Sequence, residues 1–331
     1  AFLGGLLVGV GFIIISQSTA YWMWVLGFGL LAGVGIGFGY SAATPPGLKW
    51  FPSAKTGMVA GIVVSGFGLA SVYIAPLART LIDSWGLQST MLFFGIAFAV
   101  VVSLLSILLV NPPAGYVAAT SDDPKKKARV SSVTHEVSPA EALRTPRFWL
   151  LWTMYAIGSG AGLMVISSVA RMAKASLAEQ AFLAVAFLAI GNAAGRIVAG
   201  IVSDRIGRPQ TLMICLLFQA ALMFAGMQLV GAESTGAVLL VVLATLIGFN
   251  YGTNLSLFPS FAKDNWGLKN FGMNYGLLFT AWGVGGFALS RLSQMFVAET
   301  GSFRSSFLVA GVLLLITAAM TFTVRRPAGE A

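Results

Sequence analysis

Charge is scarce in this sequence, since Asp, Glu, Lys and Arg make up only 9% of its 331 residues, against about 25% in a soluble domain. Apolar residues make up 57%, and the mean hydropathy is +0.86. The one cysteine, Cys215, excludes a disulfide within the chain, and with a single histidine no metal-ligand cluster can be assembled. We therefore expect no metal and no cofactor, and we expect the lipid bilayer to be the solvent of the chain.

Other features are missing as well. The basic residues behind the net charge of +9 lie in loops between apolar runs rather than on one soluble face, which argues against nucleic acid as a partner. No nucleophile, base and oxyanion donor converge, so we do not expect an enzyme. The first run, 1–16, is apolar with no basic segment before it. It is therefore typical of a membrane span whose upstream chain is missing, rather than of a signal peptide.

Long apolar runs dominate what is present. A spanning helix needs about 20 mostly apolar residues, and runs of that kind predict an all-α polytopic membrane protein. The ten predicted spans are 1–16, 21–43, 57–79, 89–110, 148–169, 179–203, 211–230, 236–261, 271–297 and 304–324.

The longest polar stretch separates the first four spans from the last six. We predict an incomplete N-terminal bundle over 1–110, a central loop over 111–147 and a C-terminal six-helix bundle over 148–331. Basic residues concentrate on one side of the membrane, which makes that side cytoplasmic, and we expect a bacterial inner membrane. That side includes the central loop and the C-terminus, and its basic residues are Lys49, Lys55, Lys125, Lys126, Lys127, Arg129, Arg144, Arg147, Arg205, Arg208, Lys263, Lys269, Arg325 and Arg326.

The two parts of the chain share a repeat. Gly57 and Gly61 recur as Gly272 and Gly276, 215 residues later. Both pairs open a span from the same side of the membrane, so the repeat is parallel. Two parallel halves related by an axis along the membrane normal are a transporter architecture.

A charged motif joins the sixth and seventh spans. Gly200, Asp204, Arg205, Gly207 and Arg208 form a G-xxx-D-R-x-G-R pattern that resembles the cytoplasmic-loop signature of the major facilitator superfamily. The resemblance implies the twelve-span major facilitator fold, of which this chain holds ten spans. It gives the motif a structural and conformational role rather than a role in substrate contact.

Further segments narrow the resemblance. Together they are similar to the oxalate/formate antiporter branch, which is related to the monocarboxylate transporters. The segments are KWFP at 49–52, NPPAGY at 111–116, EALRTPRFWLLW at 141–152 and YGLLFTAW at 275–282.

Acidic residues are absent from the middle of the spans, because all eleven fall in loops or at span ends. This disfavours carriers that relay protons through a membrane carboxylate. Arg196, by contrast, lies eight residues before Asp204, which places it ~12 Å into a hydrocarbon core ~30 Å thick. A central arginine costs ~2.5–3.5 kcal/mol on insertion scales. An anionic substrate would compensate it through the guanidinium fork. The alternatives are that Arg196 snorkels to the surface or bonds backbone carbonyls.

The resemblance favours the substrate interpretation, because the family carries an arginine in this span that faces the substrate cavity. Asn192, one turn earlier, could share that face or pack between helices. The oxalate transporter has a second cavity cation, a lysine whose position is taken here by Trp282, so a single negative charge is favoured over oxalate. Trp282 either walls the pocket or packs between helices. Further candidates, each with core packing as its alternative, are Tyr40, Tyr73, Tyr251 and Asn254.

These patterns together predict a monomeric secondary transporter that moves small monocarboxylates such as lactate, pyruvate or formate by alternating access. A proton or a counter-anion is the expected co-transported partner. Two alternatives stay open: a facilitator-family carrier of another solute (oxalate, nitrate, a sugar or a drug), and a non-transporting membrane sensor or a channel.

Overall fold

The computed structural model describes residues 1–113, 116, 136–168, 181–229 and 237–324, and only the backbone of residues 53, 181–183 and 237 among these. The predicted lysine run of the central loop, Lys125 to Lys127, lies outside the described residues, as do Arg325 and Arg326. Within the described ranges the regular secondary structure is entirely helical. The predicted all-α fold class is confirmed.

The helices follow the predicted spans closely. Seven of the described helices are long and apolar enough to cross a membrane. The ten predicted spans map onto α1–α3 and α5–α10, with α3 counted twice because it contains two spans. In chain order the helices are α1 Phe2–Ser16, α2 Tyr21–Trp50, α3 Thr56–Ser106, α4 Pro139–Arg144, α5 Pro146–Ile166, α6 Ala181–Ile206, α7 Arg208–Leu229, α8 Ala237–Trp266, α9 Phe271–Thr300 and α10 Arg304–Met320.

Local sequence explains several helix ends. Gly86 breaks α3 into two helices, since its φ of 77° and ψ of 169° are not helical and a positive φ favours glycine. Ser138 begins α4 with a capping box, in which its side chain accepts from the N–H of Glu141 and its own N–H donates to the Glu141 carboxylate. This short helix lies inside the stretch that was predicted to be loop. Thr145 caps the start of α5 with its side-chain oxygen alone, which accepts from the amide of Phe148 at 3.3 Å.

The chain forms two compact units. The first contains Ala1–Pro52 and Val72–Thr120, and the second contains Ser53–Ser71 and Ser121–Ala331. The start of α3 therefore belongs to the second unit. The predicted division into bundles over 1–110 and 148–331 stays a prediction.

In the first unit, α1 and α2 approach each other through glycine. A Cβ atom on Gly11 would overlap the carbonyl oxygen of Gly27, and the reverse substitution would meet the same obstacle. Such close backbone contact stabilises helix pairs in lipid, where little hydrophobic force acts between helices.

In the second unit, α6 crosses α8 at an even tighter contact. A Cβ atom on Gly191 or Gly195 of α6 would overlap the backbone of α8, and one on Gly248 or Gly252 of α8 would overlap the backbone of α6. These glycines hold the two helices backbone to backbone. Asn192, the one polar residue between the two glycines of α6, is buried at this contact.

Candidate functional site

Arg196 lies on α6 with a side chain that is fully buried, at 0% exposed. Its Nε donates a hydrogen bond of 3.0 Å to Oδ1 of Asn192, one turn earlier on the same helix. Its Nη1 donates to the backbone carbonyl of Val64 on α3. The guanidinium carbon also lies 5.7 Å from the ring centroid of Phe67. The structure thus joins Arg196 to Asn192 and adds two contacts to α3.

The glycines of α3 are what allow these contacts. A Cβ atom on Gly61 would overlap the backbone carbonyl of Arg196, and one on Gly68 would lie 3.4 Å from the Arg196 Nε. The bare backbone of α3 therefore lies directly against α6 at this level. The repeat partners Gly272 and Gly276 differ, because an added Cβ there meets nothing within 4 Å in the described part of the chain.

The charge of Arg196 has no acidic partner among the described residues. The ion pairs found there join Arg79 to Asp83 and Arg208 to both Asp204 and Asp264. A buried charge without a counter-charge costs free energy unless hydrogen bonds compensate it. Here two of the five N–H groups of the guanidinium carry hydrogen bonds within the described ranges, both to neutral oxygens. The arrangement can therefore accept an anion. The alternative that Arg196 bonds a backbone carbonyl is also realised, through Val64.

Tyr251 and Trp282 form a second polar contact in the same unit. The indole Nε1 of Trp282 on α9 donates to the hydroxyl of Tyr251 on α8 at 2.8 Å. Gly162 of α5 lies against the Tyr251 ring, where a Cβ would be only 2.7 Å from a ring carbon. Trp282 is half-buried and stacks on Phe279 with an interplanar angle of 6° and a centroid distance of 5.3 Å. These rings form a rigid aromatic wall between α8 and α9.

The other predicted candidates are placed differently. Asn254 is buried on α8, its amide nitrogen is 3.5 Å from the Asn250 carbonyl oxygen, and its Oδ1 lacks a hydrogen-bond partner in the described residues. Tyr40 and Tyr73 lie in the first unit. Tyr40 is half-buried, whereas the side chain of Tyr73 is 61% exposed. The structure therefore brings Arg196 together with Asn192, and Tyr251 together with Trp282. Tyr40 and Tyr73 belong to the other compact unit.

The predicted loop signature surrounds the beginning of α3. The carboxylate of Asp204 accepts hydrogen bonds of 2.9 Å from the backbone N–H groups of Gly57 and Met58. It also accepts a 2.6 Å hydrogen bond from Nη1 of Arg208, and the Nε of Arg208 donates to Asp264 at 3.1 Å. A carboxylate at a helix N-terminus pairs with unsatisfied amides and with the positive end of the helix dipole. Asp204 therefore caps the start of α3, although Gly57, whose amide it accepts from, lies 147 residues earlier in the chain.

The glycines of the signature have distinct roles. Gly200 lies so close to the backbone of Gly57 that a Cβ on either would overlap the other. Gly207 has a φ of 100°, which lets the chain reverse between α6 and α7. Arg205 is exposed.

Four residues of these networks were missed in the sequence. Val64 contributes a backbone oxygen, which no residue type can signal. Phe67 lies in a Gly-Phe-Gly segment that indicates only helix packing. Lys263, buried near the end of α8, donates from Nζ to Oγ1 of Thr56 at 2.5 Å, and Asp264 pairs with Arg208. Both partners of these α8 residues are distant in sequence, so charge patterning along α8 does not reveal them.

Apolar helices with glycine contacts, a buried cation with no counter-anion among the described residues and a carboxylate-capped helix are the features of an integral membrane protein of the transporter class. The sequence profile of the Major Facilitator Superfamily matches residues 1–289 and 163–331. The chain belongs to this superfamily.

Individual relatives agree with this assignment. The chain is 31% identical over 291 residues to an uncharacterized MFS-type transporter, YhjX, of Escherichia coli (strain K12), covering 85% of this chain and 67% of the relative. It is 26% identical over 299 residues to the oxalate:formate antiporter of Oxalobacter formigenes, covering 89% of this chain and 68% of the relative. A crystal structure of the E. coli fucose:proton symporter FucP matches with a TM-score of 0.66 at 16% identity, covering 97% of this chain and 82% of that one. At that identity the match supports the fold alone.

Proposed function

We propose that this major facilitator transporter moves small monocarboxylates, such as formate, lactate or pyruvate, by neutralising the carboxylate with Arg196. The observation that carries the proposal is the burial of Arg196 at 0% exposed with no described carboxylate paired to it. A planar guanidinium binds a carboxylate through two parallel hydrogen bonds, which satisfies both the charge and the spare N–H groups.

The surroundings of Arg196 favour a single negative charge on the substrate. Asn192 is neutral and already accepts from the Nε, so it orients the guanidinium without cancelling its charge. Trp282 stands where the resemblance to the oxalate transporter calls for a second cation. The relative of Oxalobacter formigenes is named for two carboxylates, oxalate and formate, and a site with one cation suits formate better.

Alternating access is the mechanism that goes with this fold. In the orientation expected from the basic residues, the end of the chain's helices that carries Asp204 and Arg208 faces the cytoplasm. Without a mid-membrane carboxylate in the described spans, exchange of one anion for another, or a proton that moves with the acid, is the expected coupling.

Counterflow in proteoliposomes tests the proposal. Vesicles are loaded with unlabelled formate, L-lactate, pyruvate or oxalate, and uptake of the same labelled compound is followed. We expect saturable counterflow of a monocarboxylate and a loss of it in Arg196→Gln. A hydrogen bond to a charged group contributes about 1.5–3 kcal/mol. Losing that interaction corresponds to a rise of about 10- to 150-fold in the half-saturating substrate concentration.

A matched control is Arg291→Gln, the same substitution at an exposed arginine of α9, which should leave counterflow unchanged. Normal transport in Arg196→Gln would refute the role of this arginine. If none of the four anions moves but a sugar, nitrate or a drug does, the chain is a carrier of that other solute. Conductance without saturation or counterflow would indicate a channel.

A further inference from the structure

The segment of α3 from Val64 to Gly68 contacts the Arg196 guanidinium that is proposed to bind substrate. The Val64 carbonyl oxygen accepts from Nη1 of Arg196, and the Phe67 ring lies over the same guanidinium. Arg196 is fully buried, while the side chain of Phe67 is 51% exposed. The Phe67 ring therefore contacts the buried guanidinium on one side and leaves half of its own surface exposed.

The Val64 carbonyl is a weaker partner for the cation than a carboxylate would be. A backbone carbonyl is neutral and offers one oxygen, whereas a carboxylate is charged and offers two in the geometry of the guanidinium fork. The bond to the carbonyl is charge-assisted by the guanidinium alone, whereas a carboxylate adds a second, opposite charge and can form two parallel hydrogen bonds. A carboxylate that enters beside Arg196 should therefore displace the carbonyl.

Displacing the carbonyl would separate α3 from α6 around Arg196. Around Arg196 the α3–α6 contact joins backbone to backbone at Gly61 and Gly68, and the Arg196 side chain adds its contacts to Val64 and Phe67. The two glycines have no side chains that must change rotamer when the backbones move apart. The firmer ties between the same helices lie at the Asp204 end.

Resting on the function proposed above, we propose that the Val64 carbonyl oxygen occupies the position that a substrate carboxylate oxygen takes on binding, and that the Phe67 ring covers the binding site. Binding of the substrate and release of α3 from α6 are then one event. In the unliganded transporter one N–H group of the cation is bonded to its own backbone, and a monocarboxylate replaces that backbone contact. Phe67 then provides the apolar surface beside the bound carboxylate.

A cysteine pair can report on this release. The substitutions Gly68→Cys and Ala193→Cys are introduced together with Cys215→Ala, because the two positions are in direct contact across α3 and α6, with a Cβ at Gly68 only 3.3 Å from the Cα of Ala193. Oxidative cross-linking is timed with and without formate, L-lactate or pyruvate. At ten times the half-saturating concentration of a transported probe, we expect cross-linking to slow about tenfold, since only the unliganded state keeps the helices together. In the same pair with Arg196→Gln the probe should have no effect.

The outcomes separate this inference from the proposed function. If a probe is transported and Arg196→Gln abolishes its transport, but cross-linking is not slowed, the α3 inference is wrong and the proposed function stands. If no monocarboxylate is transported, both are wrong.

A second measurement decides the matter if the cysteine pair fails to fold. Phenylglyoxal modifies accessible arginine side chains, and its inactivation of counterflow is timed in Phe67→Ala and in Phe67→Leu. Removal of the cover should accelerate inactivation severalfold in Phe67→Ala, with protection by the transported probe, whereas Leu should preserve slow inactivation. Equal rates in the parent chain and in Phe67→Ala would overturn the role of Phe67.

Discussion

Replacing Asp204 by Asn should loosen the beginning of α3. The carboxylate accepts from the amides of Gly57 and Met58 at 2.9 Å each and from Arg208 at 2.6 Å. An Asn side chain has one oxygen, so one amide loses its acceptor and the other loses the charge assistance. A hydrogen bond to a charged group is worth about 1.5–3 kcal/mol. Breaking a largely buried ion pair costs about 3–5 kcal/mol, and the low end applies because Arg208 keeps Asp264 as a partner.

We therefore expect the free energy of local unfolding at the start of α3 to fall by about 3 kcal/mol. This corresponds to a rise of about 150-fold in the equilibrium constant for opening of the first turn. Amide hydrogen exchange measures that equilibrium directly. The peptide that contains Gly57 and Met58 should exchange faster in Asp204→Asn by about that factor.

The matched control is Asp264→Asn. This carboxylate contacts Arg208 at 3.1 Å with a side chain that is 44% exposed, and an exposed pair of this kind contributes about 0–1 kcal/mol. Exchange in the same peptide should therefore rise by at most about fivefold. If Asp204→Asn exchanges no faster than the control, the capping argument is refuted.

Two further substitutions test the surroundings of Arg196. Gly61→Ala should lower the free energy of unfolding of the purified transporter by about 1–3 kcal/mol, because the new Cβ would overlap the Arg196 carbonyl. Gly66→Ala, on the same helix with nothing within 4 Å, should stay within about 0.5 kcal/mol of the parent, and equal losses would contradict the close contact. Asn192→Asp should raise the half-saturating monocarboxylate concentration at least about tenfold, because an aspartate beside Arg196 competes with the substrate for the charge. Counterflow kinetics measure this, and an unchanged value would argue against Arg196 as the substrate cation.

The positions of the helices could be predicted from the sequence because a membrane span depends on local composition. About 20 apolar residues suffice, whichever helix packs beside them, and the ten predicted runs match α1–α3 and α5–α10. Residues that end a helix through their backbone conformation also act locally. Gly86, which ends the first part of α3, lies between the two runs that were predicted as separate spans.

The partners of the charged residues could be predicted only in part. Asp204 was placed in a conformational signature, but its role as the cap of α3 depends on Gly57 and Met58, which are distant in sequence. Arg196 was expected to share a helix face with Asn192, because residues four apart lie on the same face. Its contact with Val64 was not, since a main-chain carbonyl looks the same at every position of a sequence.

The sequence by itself determined that this protein lies in the membrane, which segments form its spans, and that one arginine lies inside a span with no acidic residue at its own level of the helix. Those properties follow from composition and from the 1.5 Å rise of a helix, which involve no other part of the chain. Only the tertiary structure decided what that arginine touches. The backbone of α3 reaches the guanidinium because glycines on facing helices let two main chains approach, and such contacts are set by helix packing over 132 residues of intervening chain.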